Sequence, residues 1–391
     1  MNQNFSTEQL FSLCTKYDLR KYSISKQDVL KRIEKKIASL SDGTFEFDLT
    51  VRNEYVTTSN IENELILRKI NDNIKKLYKD TQNNRNFIIK QLIALLNETT
   101  PMMILKTDIN SFYESIQRKK ILEKLSADQI LSYNTTELLS IFFNHPFNKP
   151  NKGLPRGVNI SATLSELYMR RFDKWIRSHN GVYYYARYVD DIIIFFNNKK
   201  NMVLVRNSLY EKLNDGLSIN HRKTDFFDGN DISDTKPLQF LGYQFTSRKV
   251  KRKKTVNIAI AQKKINKIKT RIVKSFLEYI KTKDFDLLEQ RVKFLTGNHV
   301  VRKSHSGSVL KSGIYYSYSK ITDQMPLNEL NIFYHKILNS HKGSFGSKIT
   351  SELNFSKKQK LTKYSFRHGF NKKVSYNFQD KALVKIQKCW L

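Results

Sequence analysis

The chain has 391 residues, and its 69 Lys or Arg against 36 Asp or Glu give a formal net charge of +33. The sequence contains no long apolar run and no secretory leader pattern, which predicts neither a membrane span nor export. Two cysteines, Cys14 and Cys389, are too few for a disulfide framework and favour a reducing, cytoplasmic location. A protein this basic is expected to bind a polyanion, and nucleic acid is favoured over a merely lysine-rich surface or an anionic membrane.

Helical periodicity dominates the N-terminal hundred residues. Apolar residues recur at helical spacing within 10–17, 29–40, 66–77 and 88–96, and Pro101 ends the last of these segments. Polar and basic residues cover the remaining faces, so surface helices are predicted here.

The middle of the chain alternates strands and helices. An apolar strand is predicted at 102–109, and a Pro-Arg-Gly turn precedes a long helix at 163–176. Two short apolar runs, 182–188 and 192–196, are separated by only three residues, which predicts a β-hairpin with two acids at its tip. A further helix is predicted at 202–213.

A strand pair is predicted at 238–245, after which the chain becomes strongly basic. Residues 248–281 contain thirteen Lys or Arg and one acid. Their apolar residues form a helical stripe, and beside it lie four basic residues, Lys264, Lys267, Arg271 and Lys274. A solvated helix face is the ordinary interpretation of such a pattern, but the near absence of acids favours phosphate binding. The remainder, 285–391, is aromatic-rich and predicted to be helical.

Three aspartates carry the chemical argument. Asp190 and Asp191 occupy the hairpin tip, and Asp108 ends the predicted strand, so the carboxylates converge if these strands are neighbours in one antiparallel sheet. Nucleotide polymerisation is a phosphoryl transfer, and its barrier falls when two divalent cations about 3.5–4 Å apart hold the attacking and leaving oxygens. Magnesium takes such oxygen ligands, so a metal centre is predicted, although adjacent aspartates alone are commonly turn formers.

The tip sequence Tyr188-Val189-Asp190-Asp191 resembles the Tyr-x-Asp-Asp box of reverse transcriptases. Other segments resemble that family's fingers, first palm, second palm, fourth palm and primer-grip motifs in the same order, namely 84–89 (NRNFII), 105–113 (LKTDINSFY), 154–161 (LPRGVNIS), 216–224 (GLSINHRKT) and 240–243 (FLGY). The resemblance covers about residues 60–245 and implies a right-hand polymerase of the α+β class.

The implied right hand divides the chain into three parts. The N-terminal extension and fingers would occupy 1–100, and the palm, with a small antiparallel sheet, 101–245. Part of the fingers would lie within the palm segment at about 145–165, and 246–391 would form a basic helical thumb and C-terminal region.

The resemblance also implies roles for the acidic site. Asp108 and Asp190 would bind two Mg²⁺ ions, with Mn²⁺ as a substitute. Asp191 would complete the site, and Ile109 would supply a backbone carbonyl ligand. Lys223 stands where the family has a lysine that protonates pyrophosphate, and a plain phosphate contact is the alternative role.

Nucleotide and nucleic-acid contacts are implied in the same way. Tyr113 would be the steric gate that excludes a 2′-hydroxyl, Arg85 would contact the triphosphate, and Gly157 would allow close backbone approach. Gly242 and the four basic residues Lys264, Lys267, Arg271 and Lys274 would bind nucleic acid. Arg156 is also expected to contact the substrate, but the second palm motif commonly reads Pro-Gln-Gly, so this departure implies different nucleotide or template-base contacts.

Four segments resemble bacterial defence-associated reverse transcriptases of the abortive-infection and "unknown group" lineage, namely 112–116 (FYESI), 157–166 (GVNISATLSE), 291–297 (RVKFLTG) and 313–318 (GIYYSY). That resemblance implies antiphage defence in the bacterial cytoplasm, with dNTPs as substrates, a DNA product and a noncoding RNA as template or scaffold. A second reverse transcriptase and a further copy of the chain are expected as additional partners.

Four alternatives to this function are considered. A retron-type enzyme would make a branched RNA–DNA, and a polymerase of the same lineage would work without a template or from a protein primer. A catalytically silent RNA-binding scaffold belongs to a different class, which the three intact acids disfavour. An RNA-dependent RNA polymerase is disfavoured by Tyr188 and Tyr113.

Overall fold

The computed structural model describes residues 2–52, 54–79, 84–98, 100, 102–148, 153–213, 216–229, 231–250, 253–303 and 309–390. The chain divides into two compact units, of which the first comprises Met1–Ile88 with Thr100–Gly229 and the second Ile89–Thr99 with Asn230–Leu391. Helices are mixed with small, mainly antiparallel sheets, which confirms the predicted α+β class. None of the helices within the described ranges is both long and apolar enough to cross a bilayer.

The first unit is built from helices around one four-stranded sheet. Its helices are α1 Thr7–Phe11, α2 Lys16–Tyr22, α3 Lys26–Ser41, α4 Ile61–Tyr78, the start of α5 Arg85–Asn97, α6 Phe112–Ser115, α7 Arg118–Asp128, α8 Tyr133–Asn144, α9 Asn159–Arg177 and α10 Lys199–Lys212. Its strands are β1 Leu49–Arg52, β2 Tyr55–Thr58, β3 Met103–Asp108, β4 Val182–Tyr188, β5 Asp191–Phe196 and β6 Asp225–Asp228.

The sheet of the first unit has the strand order β4-β5-β3-β6 and is antiparallel throughout. Strand β5 lies in the middle with Ile192–Phe196 fully buried, because a central strand covered on both faces reads as a continuous apolar run. The predicted hairpin at 182–196 is confirmed. The β1–β2 hairpin was not predicted, because its strands are short and largely exposed.

A buried ion pair ties the N-terminal segment to α4. Arg68 donates from Nη1 and Nη2 to the two carboxylate oxygens of Asp18, both at 2.7 Å. The guanidinium holds the pKa of Asp18 down to about 2, against the opposing effect of burial. Next to Arg68, Lys69 is buried and donates to the carbonyl of Asn2 at 2.9 Å. Both cations therefore stabilise the fold of the N-terminal helices.

The second unit contains the end of α5 and everything after Gly229. Its strands are β7 Leu238–Phe240, β8 Tyr243–Val250, β9 Lys253–Ile260, β10 Asn298–Lys303, β11 Val309–Gly313 and β12 Ser375–Tyr376. Its helices are α11 Gln262–Thr282, α12 Phe285–Thr296, α13 Ile314–Tyr318, α14 Met325–Leu338, α15 Gly343–Glu352, α16 Phe355–Thr362, α17 Phe366–Asn371 and α18 Asp380–Lys388.

Helix α11 follows its sequence pattern. Ile265, Ile272, Phe276 and Tyr279 are buried along one face, as the helical stripe predicted. The tight β7–β8 hairpin also agrees with the predicted strand pair at 238–245. The prediction of an all-helical segment after 285 is wrong for β10, β11 and β12, whose mostly polar strands lack a clear alternating pattern.

His299 offers a test of packing in the second unit. Its ring stacks on Phe294 with centroids 4.2 Å apart, and burial lowers the pKa of the imidazole. Because the pKa is lower in the folded state, the unfolded chain takes up the proton first as the pH falls. Burial of the neutral His299 ring therefore contributes its full share to the free energy of unfolding above about pH 6.5, and that contribution is lost as the pH falls. We expect the unfolding temperature of His299→Phe to fall less between pH 7 and pH 5 than that of the wild type. Equal pH dependence in both proteins would contradict the assignment.

Candidate active site

Strand register brings the predicted acids together. Asp108 at the end of β3 lies directly opposite Asp191 at the start of β5, so both side chains belong to one face of the sheet. Asp190 occupies the two-residue turn between β4 and β5, and its carbonyl accepts a hydrogen bond from the Ile109 amide at 3.2 Å. The turn is therefore fastened to the end of β3, next to Asp108.

The turn contains a strained residue. Val189 has φ +60°, a left-handed conformation that a β-branched residue rarely adopts and that costs about 1–3 kcal/mol. Its carbonyl accepts a hydrogen bond from Nη1 of Arg187 at 3.1 Å. Such strain persists only where surrounding contacts hold it, and Arg187 is one such contact.

Arg187 is itself fixed by two acids on α9. Its Nε and Nη2 donate to the carboxylate of Asp173 at 2.9 and 2.7 Å, and Nη2 also reaches Glu166 at 2.7 Å. The Arg187 side chain is only 1% exposed, so this is a buried ionic network directly behind the acidic turn. Tyr185 completes it by donating its hydroxyl hydrogen to Asp173 at 2.5 Å.

The acidic site carries mutual repulsion. Burial, and then the charges of Asp190 and Asp108, raise the pKa of Asp191 to about 6. Burial also raises the pKa of Asp190, with Asp108 adding to the shift. Lys223 offsets part of this charge, since its Nζ lies 2.8 Å from Oδ2 of Asp108, and that hydrogen bond raises the pKa of the ammonium. Carboxylates with raised pKa values in one place are typical of sites that receive a cation or a substrate.

One cavity of about 380 Å³ joins most of the predicted residues. Its walls include Asp108, Ile109, Tyr113, Arg156, Asp190 and Lys223. Burial raises the pKa of Tyr113, whose side chain hydrogen-bonds Ser165 on α9. Asn220 also lines the cavity and donates its backbone amide hydrogen to the Asp108 carbonyl at 2.7 Å. Asn220 was not assigned a role from the sequence, although it lies in the segment that resembles the fourth palm motif.

Arg156 is paired with Glu114, the residue after Tyr113. The Arg156 Nε lies 2.5 Å from a carboxylate oxygen of Glu114, and both side chains are about half exposed. The Arg156 carbonyl also accepts a hydrogen bond from the Val56 amide at 2.7 Å. The departure from Pro-Gln-Gly therefore has a local partner, and the pair joins the loop before α9 to the helix that carries Tyr113.

Arg118 contacts the start of the same loop at Gly153. Its guanidinium donates to the carbonyls of Gly153, Phe143 and Asn148 at 2.7, 3.0 and 2.5 Å. Burial among these neutral acceptors lowers the pKa of Arg118 to about 10. The Leu154 amide in turn donates to the Tyr113 carbonyl at 2.7 Å. No sequence pattern predicts this contact, because Arg118 begins an ordinary basic helix.

Two predicted substrate residues lie outside the described lining of the cavity. Gly157 has φ +100°, and a Cβ there would lie 2.5 Å from the Val56 carbonyl oxygen, so packing against β2 already requires a glycine. Arg85 begins α5 and does not contribute to the cavity wall.

The predicted nucleic-acid contacts in the second unit have different environments. Lys264 and Lys267 are exposed on α11 and Lys274 is half-buried, whereas the guanidinium of Arg271 lies over the ring of Trp390 at 5.2 Å. Gly242 has φ +83° and forms the β7–β8 turn with Leu241, so glycine serves the turn geometry there. Lys264, Lys267 and Lys274 remain the candidates for phosphate binding on this helix.

The acidic site fits a divalent cation by its chemistry. Asp108, Asp190 and Asp191 offer hard carboxylate oxygens, and the pKa values of Asp190 and Asp191 are raised by burial and by neighbouring negative charge that a cation would relieve. Within the described part of the chain, no three Asp, Glu, His or Cys side chains already converge as ligands. Asp108 contacts the Lys223 ammonium through Oδ2, so a cation bound to Asp108 would share this carboxylate with Lys223.

The segment that carries the acidic site matches a known protein family. Residues 61–245 match the family described as reverse transcriptase (RNA-dependent DNA polymerase). The chain contains a reverse transcriptase domain. The matched segment includes the four-stranded sheet, the Tyr188–Asp191 turn and all six predicted residues that line the cavity.

Solved structures give a weaker likeness, and a search of curated sequences returned no significant match. Telomerase from Candida albicans, in complex with a fragment of telomeric RNA, has a TM-score of 0.39 at 12% identity over 94% of this chain. Apo telomerase from Candida tropicalis has the same TM-score and identity over 96%. The chain spans 57% and 62% of those two telomerase chains.

Proposed function

We propose that the protein is an RNA-directed DNA polymerase that adds deoxynucleotides to a primer end. The observation that carries this proposal is the meeting of Asp108, Asp190, Tyr113 and Lys223 around one cavity inside the reverse transcriptase domain. The cavity volume of about 380 Å³ is within the range of ordinary small-ligand sites. The acids supply the charge, and the tyrosine supplies the sugar selection that DNA synthesis needs.

Enzymes of this family generally use divalent metal ions. Two Mg²⁺ ions, with Mn²⁺ as a substitute, would be held by Asp108, Asp190 and the Ile109 carbonyl, with Asp191 adding negative charge behind them. When bound, they supply charge stabilisation to the attacking and leaving oxygens of phosphoryl transfer.

The remaining residues around the cavity position the nucleotide. Lys223, whose pKa is raised by Asp108, stays protonated at neutral pH and can hold a phosphate or give a proton to the leaving pyrophosphate. Arg156 would contact the nucleotide from the loop before α9, and Arg85 would contact the triphosphate, as the resemblance of its motif implies.

The right-hand division is proposed with the boundaries expected from the sequence. Fingers are proposed at 1–100 and about 145–165, a palm at 101–245 and a basic thumb at 246–391, and each would contribute to the affinity for a template–primer duplex. Phosphate contacts from the exposed Lys264 and Lys267 on α11 would add a salt-dependent part to that affinity.

We propose further that the enzyme acts in bacterial antiphage defence, in the cytoplasm, with a noncoding RNA as template or scaffold. The support is the likeness of 291–297 and 313–318 to defence-associated reverse transcriptases. A second reverse transcriptase and self-association are further proposed partners. In a phage plating assay, a host carrying the wild type should be protected, and a host carrying Asp190→Asn should not. Equal protection by both would favour the silent scaffold.

Sequencing the product tests templating. Purified chain, RNA and dNTPs should yield DNA complementary to the RNA. DNA without complementarity would indicate the untemplated alternative, and DNA joined to an RNA 2′-oxygen or to a protein hydroxyl would indicate the retron-type or protein-primed one. Sequencing the nucleic acid that copurifies with the protein would identify the proposed RNA.

Tyr113 gives the first kinetic prediction. Its ring lines the cavity near Asp190, where a 2′-hydroxyl on the incoming sugar would collide with it. Tyr113→Ala should raise kcat/KM for ribonucleotides by about 10–100-fold, because a steric collision of one hydroxyl costs about 1–3 kcal/mol. Single-nucleotide incorporation with dNTPs and rNTPs measures this ratio, and Tyr113→Phe, which keeps the ring, is the matched control. An unchanged ratio in Tyr113→Ala would contradict the gate assignment.

The Arg156–Glu114 pair gives the second kinetic prediction. Arg156→Gln should raise the KM for dNTPs about tenfold through loss of a charged hydrogen bond, and Glu114→Gln up to about fivefold through loss of orientation. Because Glu114 acts through Arg156, the double variant should be no worse than Arg156→Gln. Steady-state kinetics of the wild type, the two single variants and the double variant measures this double-mutant cycle. Additive losses would show that Glu114 acts independently of Arg156.

A further inference from the structure

Helix α14 in the second unit presents an unusual outer face. Leu327, Leu330, Tyr334 and Leu338 are buried on its inner side. On the solvent side Ile332 is 57% exposed, and Met325 at the start of the helix is 68% exposed. The helix has fourteen residues and is therefore about 21 Å long.

Two grooves flank this outer face. One has a volume of about 650 Å³ and the other about 480 Å³, and they share Ile332 and Lys336. The larger groove is otherwise lined by polar or basic residues, namely Asn331, His335, Asn339, Ser340, His341 and Lys342, with no acid among its described lining.

The smaller groove does contain two acids, but both are engaged. Glu329 lies 2.5 Å from Nζ of Lys269, and Asp323 accepts hydrogen bonds from the Met325 amide at 2.8 Å and the Asn257 side chain at 3.3 Å. Asn331 is also committed, since it bonds Ser365 and the Phe366 amide and so fixes the wall of the larger groove. The polar side chains that line the larger groove are thus chiefly hydrogen-bond donors that are neutral or positively charged.

We propose that the larger of the two grooves binds single-stranded RNA. Lys336 and Lys342 contact phosphates, the imidazole of His335 and the amide of Asn339 meet ribose hydroxyls or base edges, and Ile332 packs against a base or sugar face. An acidic peptide would also satisfy the lysines, but the net charge of +33 favours nucleic acid as the partner. The larger groove contains none of the α11 residues Lys264, Lys267 and Lys274 and does not depend on the polymerase chemistry. It would supply a separate site for the RNA partner of the proposed function.

The test measures affinity of the full-length chain for an unstructured RNA, without dNTPs or divalent ions, over a series of salt concentrations. Lys336→Glu/Lys342→Glu should weaken binding about tenfold or more near physiological salt. The slope of log affinity against log salt should shrink by about 1.4, since each contact with a single strand contributes about 0.7. Ile332→Ser should weaken binding severalfold with an unchanged slope.

Lys363→Glu/Lys372→Glu is the matched control, because it makes the same charge change at exposed lysines of the second unit that line neither groove. Equal weakening by the control would show that only overall charge matters and would overturn the proposal. Equal affinity for DNA of the same sequence, with the same dependence on Lys336 and Lys342, would overturn the assignment to RNA.

Discussion

Replacing Asp190 with Asn should reduce deoxynucleotide incorporation on the order of a thousandfold or more. The carboxylate lines the cavity beside Asp108, and loss of this proposed metal ligand would remove several kcal/mol of transition-state stabilisation. Asp108→Asn should have a similar effect, with the added loss of the Lys223 contact at 2.8 Å. Incorporation of one labelled nucleotide into a primed RNA measures both.

The same sheet offers a matched control for these variants. Asp225 on β6 is exposed and lies 2.9 Å from Nζ of Lys106, away from the described cavity lining. Asp225→Asn should keep nearly full activity, because an exposed ion pair contributes little. The unfolding temperature of Asp190→Asn should be no lower than that of the wild type in a metal-free buffer, since neutralising Asp190 relieves repulsion with Asp191. Activity in Asp190→Asn comparable with that of Asp225→Asn would contradict the site.

Replacing Arg187 should have the second-largest effect. Arg187→Met leaves Asp173 and Glu166 buried without their cation, and breaking such a network costs about 3–5 kcal/mol. Arg187→Lys keeps the charge but loses the planar fork that reaches both acids and the Val189 carbonyl. We therefore expect Arg187→Met to be severely destabilised, and Arg187→Lys to fold with a lower melting temperature and a kcat reduced about tenfold or more.

A triple variant separates positioning from stability. Arg187→Met/Asp173→Asn/Glu166→Gln removes the acids together with the cation, so much of the melting temperature should return. The Val189 carbonyl would still lack its donor, and the strained turn that carries Asp190 would still be loose. We expect kcat to stay low while the KM for dNTPs changes little. Recovery of kcat in parallel with stability would show that Arg187 supports only the fold.

The acidic centre could be predicted because its signals are local. Apolar runs on both sides of Val189–Asp191 specify a buried hairpin, and an apolar strand ending at Asp108 supplies its neighbour. Neither apolar run determines the strand register. It is the pairing of β3 with β5 in the folded chain that places Asp108 opposite Asp191. The sequence could not predict the exposed β1–β2 hairpin either, since its strands carry little apolar pattern.

Contacts between distant segments could not be predicted. Arg187 was not singled out from the sequence, and its partners on α9 depend on how that helix packs against β4. Arg156 was recognised as a departure from its motif, but its pairing with Glu114 requires the folded loop. Arg271 belonged to the basic stripe, yet Trp390 from the chain's other end covers it. Each depends on a tertiary contact across 14 to 119 residues.

Single-nucleotide extension of a DNA primer on an RNA template tests the central claim most directly. The wild type, supplied with one dNTP at a time and Mg²⁺, should add only the nucleotide complementary to the next template base. Asp190→Asn should add none, and Asp225→Asn should behave as the wild type. Absence of extension by the wild type with any dNTP, or complementary extension by Asp190→Asn at the wild-type rate, would contradict an RNA-directed DNA polymerase centred on Asp108 and Asp190.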